Sequence, residues 1–270
     1  MIDSLIILYV IIKNFFICRR RGLTITRNLE YGINSKQKYD IFTKDNLTRS
    51  ENNLIRSKMP MVLFIHGGGW CSGDKATWEW YACEMAHKGY IAVSMNYRMA
   101  PEVSCKEMID DVNKLIDIFN NKNTIVIGSS AGGHLTMWAG YNTKVKKIIS
   151  YSGPSDLEFF LQNDENNILD AIELMEGLLD GEITTEKLQK VSPITFLDES
   201  TYYADSLIVH GHKDVVVSFQ HAVLFNNACI RNDKKSKCLL LNKGPHGFEY
   251  FPKTKDAKQV WEQVVKFIEE

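Results

Sequence analysis

Thr124-Ile-Val-Ile-Gly-Ser-Ser-Ala-Gly-Gly133 passes from a short strand-like run, through a glycine-bracketed serine, into a helical stretch that continues to Tyr141. The apolar run before Gly128 has the length of a buried strand rather than a helix. Gly128 and Gly132, one on each side of Ser130, allow the chain to turn sharply without a Cβ clash. So abrupt a strand-to-helix turn pushes the Ser130 oxygen out beyond the sheet. Ser129 is the rival serine, but it occupies the x position of G-x-S-x-G. By itself the pentapeptide also fits an ordinary glycine-rich turn, so its meaning depends on its surroundings.

Similar strand-like runs lie on both sides, at Met61–Ile65, 90–96, 147–151, 207–210 and 238–241. Helical spacing of three and four separates them: Cys105, Met108, Val112, Leu115 and Phe119; Leu169, Ile172, Met175 and Leu179; Ala257, Val260, Val264 and Phe267. Strands alternating with helices predict an α/β fold whose mostly parallel sheet is covered on both faces. In such sheets ligands sit beyond the carboxyl ends of the strands, so functional residues are expected just after each strand. The polar stretch 46–58 reads as a loop, and no internal repeat is present.

The bulk numbers narrow the function classes. A chain of 270 residues, 44% hydrophobic and 24% charged, suits one domain with a sizeable core. Lys+Arg 32 against Asp+Glu 33 leaves a net charge of -1, without the broad cationic field that nucleic-acid binding by counterion release requires. No nucleic-acid partner is expected. The cysteines at 18, 71, 83, 105, 229 and 238 form no C-x-x-C pair and no zinc-spaced group with histidine. They read as reduced thiols in a cytoplasmic setting, with no metal.

Residues 5–18, LIILYVIIKNFFIC, are followed by Arg19, Arg20 and Arg21. A bilayer span needs about 20 apolar residues, and this run is shorter and interrupted by Lys13 and Asn14. Asp3 and the lack of a small-residue cleavage site argue against a signal peptide. Residues 1–30 are expected as a hydrophobic helix on the domain or in a membrane interface. A short anchor is the alternative, and the arginines would then hold the main domain, residues 31–270, on the cytoplasmic side.

Three further stretches carry chemistry. His66-Gly67-Gly68-Gly69-Trp70 follows the strand Met61–Ile65. Attack on an acyl carbon builds charge on oxygen, and fixed N–H donors must already face it. Gly68 and Gly69, with Ala131 after the serine, are the expected donors, and Gly67 is a near alternative. No Lys-Ser/Thr follows, which disfavours a phosphate-binding loop. Asp214 lies in the turn after 207–210, and His246 in the loop after 238–241. Serine, acid and histidine thus appear in the chain order of an Asp-oriented histidine base activating Ser130. His212 precedes the acid and Asp205 precedes its strand, so both are weaker candidates. His66, His87, His134, His210 and His221 read as structural or surface residues. Trp70, Phe159 and Phe160 are expected to contact substrate, and Trp138 is a further aromatic candidate, though such residues also serve as plain core.

With these residues in place, the chain resembles the α/β-hydrolase superfamily, in its hormone-sensitive-lipase-like and carboxylesterase branch. HGGGW at 66–70, SGDK at 72–75, NYRMAPE at 96–102, GSSAGGHL at 128–135, HGHKD at 210–214 and GPHGF at 244–248 fall in that family's order. Kynurenine formamidase and isoprenylcysteine methylesterase belong to the same neighbourhood, and 31–42 resembles their opening strand region. The resemblance implies hydrolysis of a small-molecule ester through an acyl-enzyme, without metal or cofactor. It departs in lacking a long N-terminal cap and in its short connection at 120–123, which leaves 155–191 as the candidate lid. Phe159, Phe160, Leu161 and Leu179 there suit a small or medium hydrophobic acyl group.

Overall fold

The computed structural model describes residues 22–44, 59–163 and 168–270. The hydrophobic segment 5–18 and the loop 46–58 lie outside the described residues. Eight strands form one sheet: β1 (Leu23–Glu30), β2 (Lys38–Lys44), β3 (Met61–Ile65), β4 (Ile91–Met95), β5 (Thr124–Ser129), β6 (Val145–Tyr151), β7 (Asp205–Gly211) and β8 (Ser236–Leu241). Their order is β1-β2-β4-β3-β5-β6-β7-β8. The pairings of β1 with β2 and of β2 with β4 are antiparallel, and all others are parallel.

Period-two alternation divides the core into two layers. In β3, Met61, Leu63 and Ile65 face a cluster that contains Met108, Val112 and Leu115 of α2 (Cys105–Phe119), Leu135 of α3 (Ala131–Ala139) and Phe225 of α7 (Gln220–Arg231). Val62 and Phe64 face the opposite cluster, with Tyr81 and Met85 of α1 (Glu79–His87) and Val260, Trp261 and Val264 of α8 (Lys255–Glu269). Between β6 and β7 the chain adds α4 (Leu157–Asn163), α5 (Ile168–Leu178) and α6 (Thr185–Val191). No helix among the described residues is long and apolar enough to cross a membrane.

The sheet begins before Tyr31, where the sequence reading starts its domain. β1 has mixed polarity and is fastened by charge instead. Arg27 donates to Asp40 at 3.1 Å and to Glu79 at 2.7 Å, while Lys75 pairs with Asp40 at 3.2 Å. Asn28 bulges with φ 56° and donates its N–H to Asp40 at 2.8 Å. Asp40 and Glu79 are buried, so β1 supplies the countercharge that makes their burial tolerable. The thiol expectation also changes: Cys71, Cys105, Cys229 and Cys238 are free, but Cys83 is disulfide-bonded.

Candidate active site

Ser130 sits between β5 and α3 with φ 53° and ψ -121°, a left-handed conformation that non-glycine residues hold only when their surroundings enforce it. Its N–H donates to Tyr151 O at 2.8 Å. The flanking glycines are steric necessities. A Cβ at Gly128 would lie 2.2 Å from Gly132 O, and one at Gly132 would lie 2.3 Å from Ile65 O. Close passage of β5, α3 and β3 therefore creates the turn that presents the hydroxyl.

His246 and Asp214 reach this hydroxyl from the loops after β8 and β7. His246 Nε2 is 3.0 Å from Ser130 Oγ, and its Nδ1 is 2.8 Å from Asp214 Oδ2. A carboxylate accepts only, so Nδ1 carries the proton and Nε2 is left to accept from the serine. Asp214 Oδ1 accepts the N–H groups of Val216 at 3.0 Å and Val217 at 2.9 Å. Burial alone would push this carboxyl up. Hydrogen bonds from His210 and His246, the charge on His246 and the Val217 N–H outweigh it and hold Asp214 well below the usual carboxylate range.

The HGGGW loop turns beside the elbow. Gly68 (φ 118°), Gly69 (φ 58°) and Trp70 (φ 59°) are successive left-handed residues. A Cβ on Gly68 would stand 2.2 Å from Ser72 O, whereas Gly69 meets nothing closer than 3.9 Å. Among the described residues, no backbone hydrogen bond uses the N–H of Gly68 or Gly69. Ala131 opens α3, where first-turn N–H groups have no intrahelical acceptor and the helix dipole favours negative charge. His66 Nδ1 donates to Gly67 O at 2.7 Å, and the ring stacks on Tyr97 at 4.6 Å. Complete burial lowers its pKa to about 4, so the ring is a neutral strut at pH 7.

The other family-like motifs brace this loop. Asn96 donates to Asp74 at 2.9 Å and accepts the Lys75 N–H at 2.6 Å. A Cβ on Gly73 would lie 2.3 Å from Gly67 O, so SGDK fits directly against HGGG. Arg98 holds Asp111 through Nε at 2.9 Å and Nη2 at 2.7 Å, anchoring the NYRMAPE segment to α2.

Of the expected substrate contacts, Trp70 and Phe160 are buried and meet edge-to-face at 6.4 Å. Trp70 Nε1 donates to His134 Nδ1 at 3.3 Å, and half-buried Phe159 sits 5.0 Å from His221. Trp138 is tied to Val191 O at 2.8 Å. These contacts seat the 155–191 insertion on α3, and Leu174 of α5 reaches within 3.9 Å of where a Gly69 Cβ would be.

Two contacts around the site are not announced by the local sequence. His210, read as structural, approaches Asp214 Oδ2 at 3.2 Å and Val217 O at 2.9 Å. Glu249 is buried three residues after His246 and accepts a hydrogen bond from Ser129 Oγ. A glutamate alone in a turn gives no signal of burial; only the passage of that turn behind the elbow produces it.

The family model described as BD-FAE matches residues 50–229. Esterase LipC of Mycobacterium tuberculosis is 25% identical over 233 residues, covering 77% of this chain and 55% of that protein. Kynurenine formamidase of Salmo salar is 28% identical over 153 residues, covering 52% of this chain and 49% of its own length. The chain thus spans about half the length of these relatives. The crystal structure of esterase B from Lactobacillus rhamnosis superposes with a TM-score of 0.77 at 15% identity, over 100% of this chain and 96% of that one. The fold is that of the α/β-hydrolases.

Proposed function

The chain belongs to the BD-FAE family, and from that premise we propose that it is a serine hydrolase that cleaves small to medium carboxylic esters through an acyl-enzyme on Ser130. The observation that carries this reading is the unbroken line from Ser130 Oγ to His246 Nε2 at 3.0 Å and from His246 Nδ1 to Asp214 at 2.8 Å.

His246 takes the proton as Ser130 Oγ bonds to the acyl carbon, and Asp214, already an anion, stabilises the imidazolium that results. The N–H groups of Gly68, Gly69 and Ala131 receive the developing oxyanion. Collapse breaks the bond to the alcohol, which leaves with the proton from His246. Water then adds to the acyl-enzyme with His246 again as base, releasing the acid and free Ser130. The substrate is a small molecule, and nucleic acid plays no part. Trp70, Phe159 and Phe160 bound the acyl side through the seated insertion.

An arylformamidase would use the same groups on an N-formyl bond, and the similarity to kynurenine formamidase keeps that second reading. Turnover of p-nitrophenyl esters of increasing acyl length, beside N-formylkynurenine, distinguishes the two. Ester kcat/KM is expected to exceed the formamide value and to vanish in Ser130→Ala. Turnover of the formamide alone selects the second reading, and turnover of neither rejects both.

A further inference from the structure

Ser129 is the serine that the elbow motif does not need, yet it is fully buried beside the nucleophile. Its hydroxyl donates to Glu249 Oε1, while Glu249 Oε2, also buried, has no hydrogen-bond partner among the described residues. A buried carboxyl with one empty oxygen costs stability unless its place is otherwise useful. The backbone at Glu249 is clamped from the opposite layer of the core, because Tyr81 Oη of α1 donates to Glu249 O at 2.7 Å. His246, three residues earlier, depends on this short turn for its position.

The next residue continues the pattern. Tyr250 exposes 37% of its surface, but its hydroxyl end turns inward against Gly67 of the glycine loop. A Cβ on Gly67 would stand 2.7 Å from that hydroxyl, 2.8 Å from Ser129 O and 3.1 Å from Ser130 Cβ. Three elements therefore converge behind Ser130: the elbow through Ser129, the base loop through Glu249 and Tyr250, and the oxyanion loop through Gly67. Tyr250 packs against Gly67, and among the described residues the Gly68 and Gly69 N–H groups have no backbone acceptor.

We infer that Ser129, Glu249 and Tyr250 are positioning residues of the proposed hydrolase site, a brace built on the Ser129–Glu249 hydrogen bond and on the Tyr250 hydroxyl packed against Gly67, which fixes nucleophile, base and oxyanion loop relative to one another. Burial pushes the Glu249 carboxyl up while its bond to Ser129 pulls it down, so the brace holds a carboxyl whose charge is disfavoured by its surroundings. Reacting groups misplaced by about 1 Å lose about 100-fold in rate, so loosening the brace is expected to lower kcat and leave KM alone.

The inference rests on the serine-hydrolase reading, and the kinetics separate the two. Wild-type protein that turns over neither ester nor formamide defeats that reading before any brace variant is measured. With active wild type, Ser129→Ala and Glu249→Leu are each expected to lower kcat about 10- to 100-fold at unchanged KM. The double variant should fall no further than the worse single, since both cut one connection. Glu249→Gln, whose amide still reaches Ser129, should recover most of the loss. Tyr250→Phe, which removes only an oxygen, should lower kcat with no change in melting temperature and serves where the buried variants fail to fold. Wild-type kcat in Tyr250→Phe, multiplicative losses in the double variant, a loss confined to KM, or a glutamine variant as impaired as the leucine one would each overturn the brace.

Discussion

His210 and His246 meet on a single oxygen: Nε2 of the first and Nδ1 of the second lie 3.2 and 2.8 Å from Asp214 Oδ2. With the Val216 and Val217 N–H groups on Oδ1, the carboxylate is surrounded by donors. It is thereby fixed as an anion and in orientation, which is what an acid that selects the His246 tautomer needs.

Replacing His210 by phenylalanine keeps the ring volume but removes the donor shared by Asp214 and Val217 O. Unfolding in urea is expected to show a loss of about 1–3 kcal/mol, the cost of stranding buried acceptors. Ester kcat should fall with it. Unchanged stability and kcat would show that His210 does not support the acid.

Acid pH should weaken the fold before Asp214 titrates. His66 and His134 are completely buried, which lowers each pKa from 6.5 to about 4. The unfolded chain therefore binds more protons than the folded one between pH 4 and 6.5, and stability rises with pH across that window, by at most about 3 kcal/mol per histidine. Asp214 adds its own loss only at lower pH, as protonation approaches its depressed folded pKa. Urea midpoints measured in steps from pH 7 down to pH 4 test this, and a flat profile contradicts it.

Gly68 and Gly69, the proposed oxyanion donors, should respond differently to alanine. Gly68→Ala meets Ser72 O at 2.2 Å and must displace the loop, so kcat should collapse. Gly69→Ala has room and keeps its N–H, so only left-handed strain of about 1 kcal/mol is expected. Comparing kcat and melting temperature in the two variants decides it, and equal damage would place the donors elsewhere.

Truncation tests where the domain starts. Removing 1–21 leaves β1 in the sheet, whereas removing 1–30 strips Arg27 from buried Asp40 and Glu79. The shorter deletion should fold and the longer should aggregate. Arg27→Ala alone is expected to cost about 2 kcal/mol, below a fully buried pair because Arg27 keeps 29% of its side-chain surface. A folded, active 31–270 fragment would contradict this.

Sequence legibility followed locality. The elbow, the glycine loop and the placement of Asp214 and His246 after strands are written in short contiguous words, because tight turns demand glycine and parallel sheets collect loops at one edge. β1 was not legible: Arg27 gains its meaning from Asp40 and Glu79, and Glu79 lies 52 residues away. Glu249 and Ser129 meet across 120 residues. His210 lies at the end of β7 as the sequence indicates, and its approach to Asp214 comes only from the return of the Asp214 turn onto it.

Ser130, and not its neighbour Ser129, is the proposed nucleophile. Reaction with a fluorophosphonate, followed by peptide mass spectrometry, tests it most directly. A covalent adduct on Ser130 that is lost in Ser130→Ala and strongly slowed in His246→Ala is the predicted result. An adduct on Ser129, or no adduct on protein that is turning over ester, would contradict it.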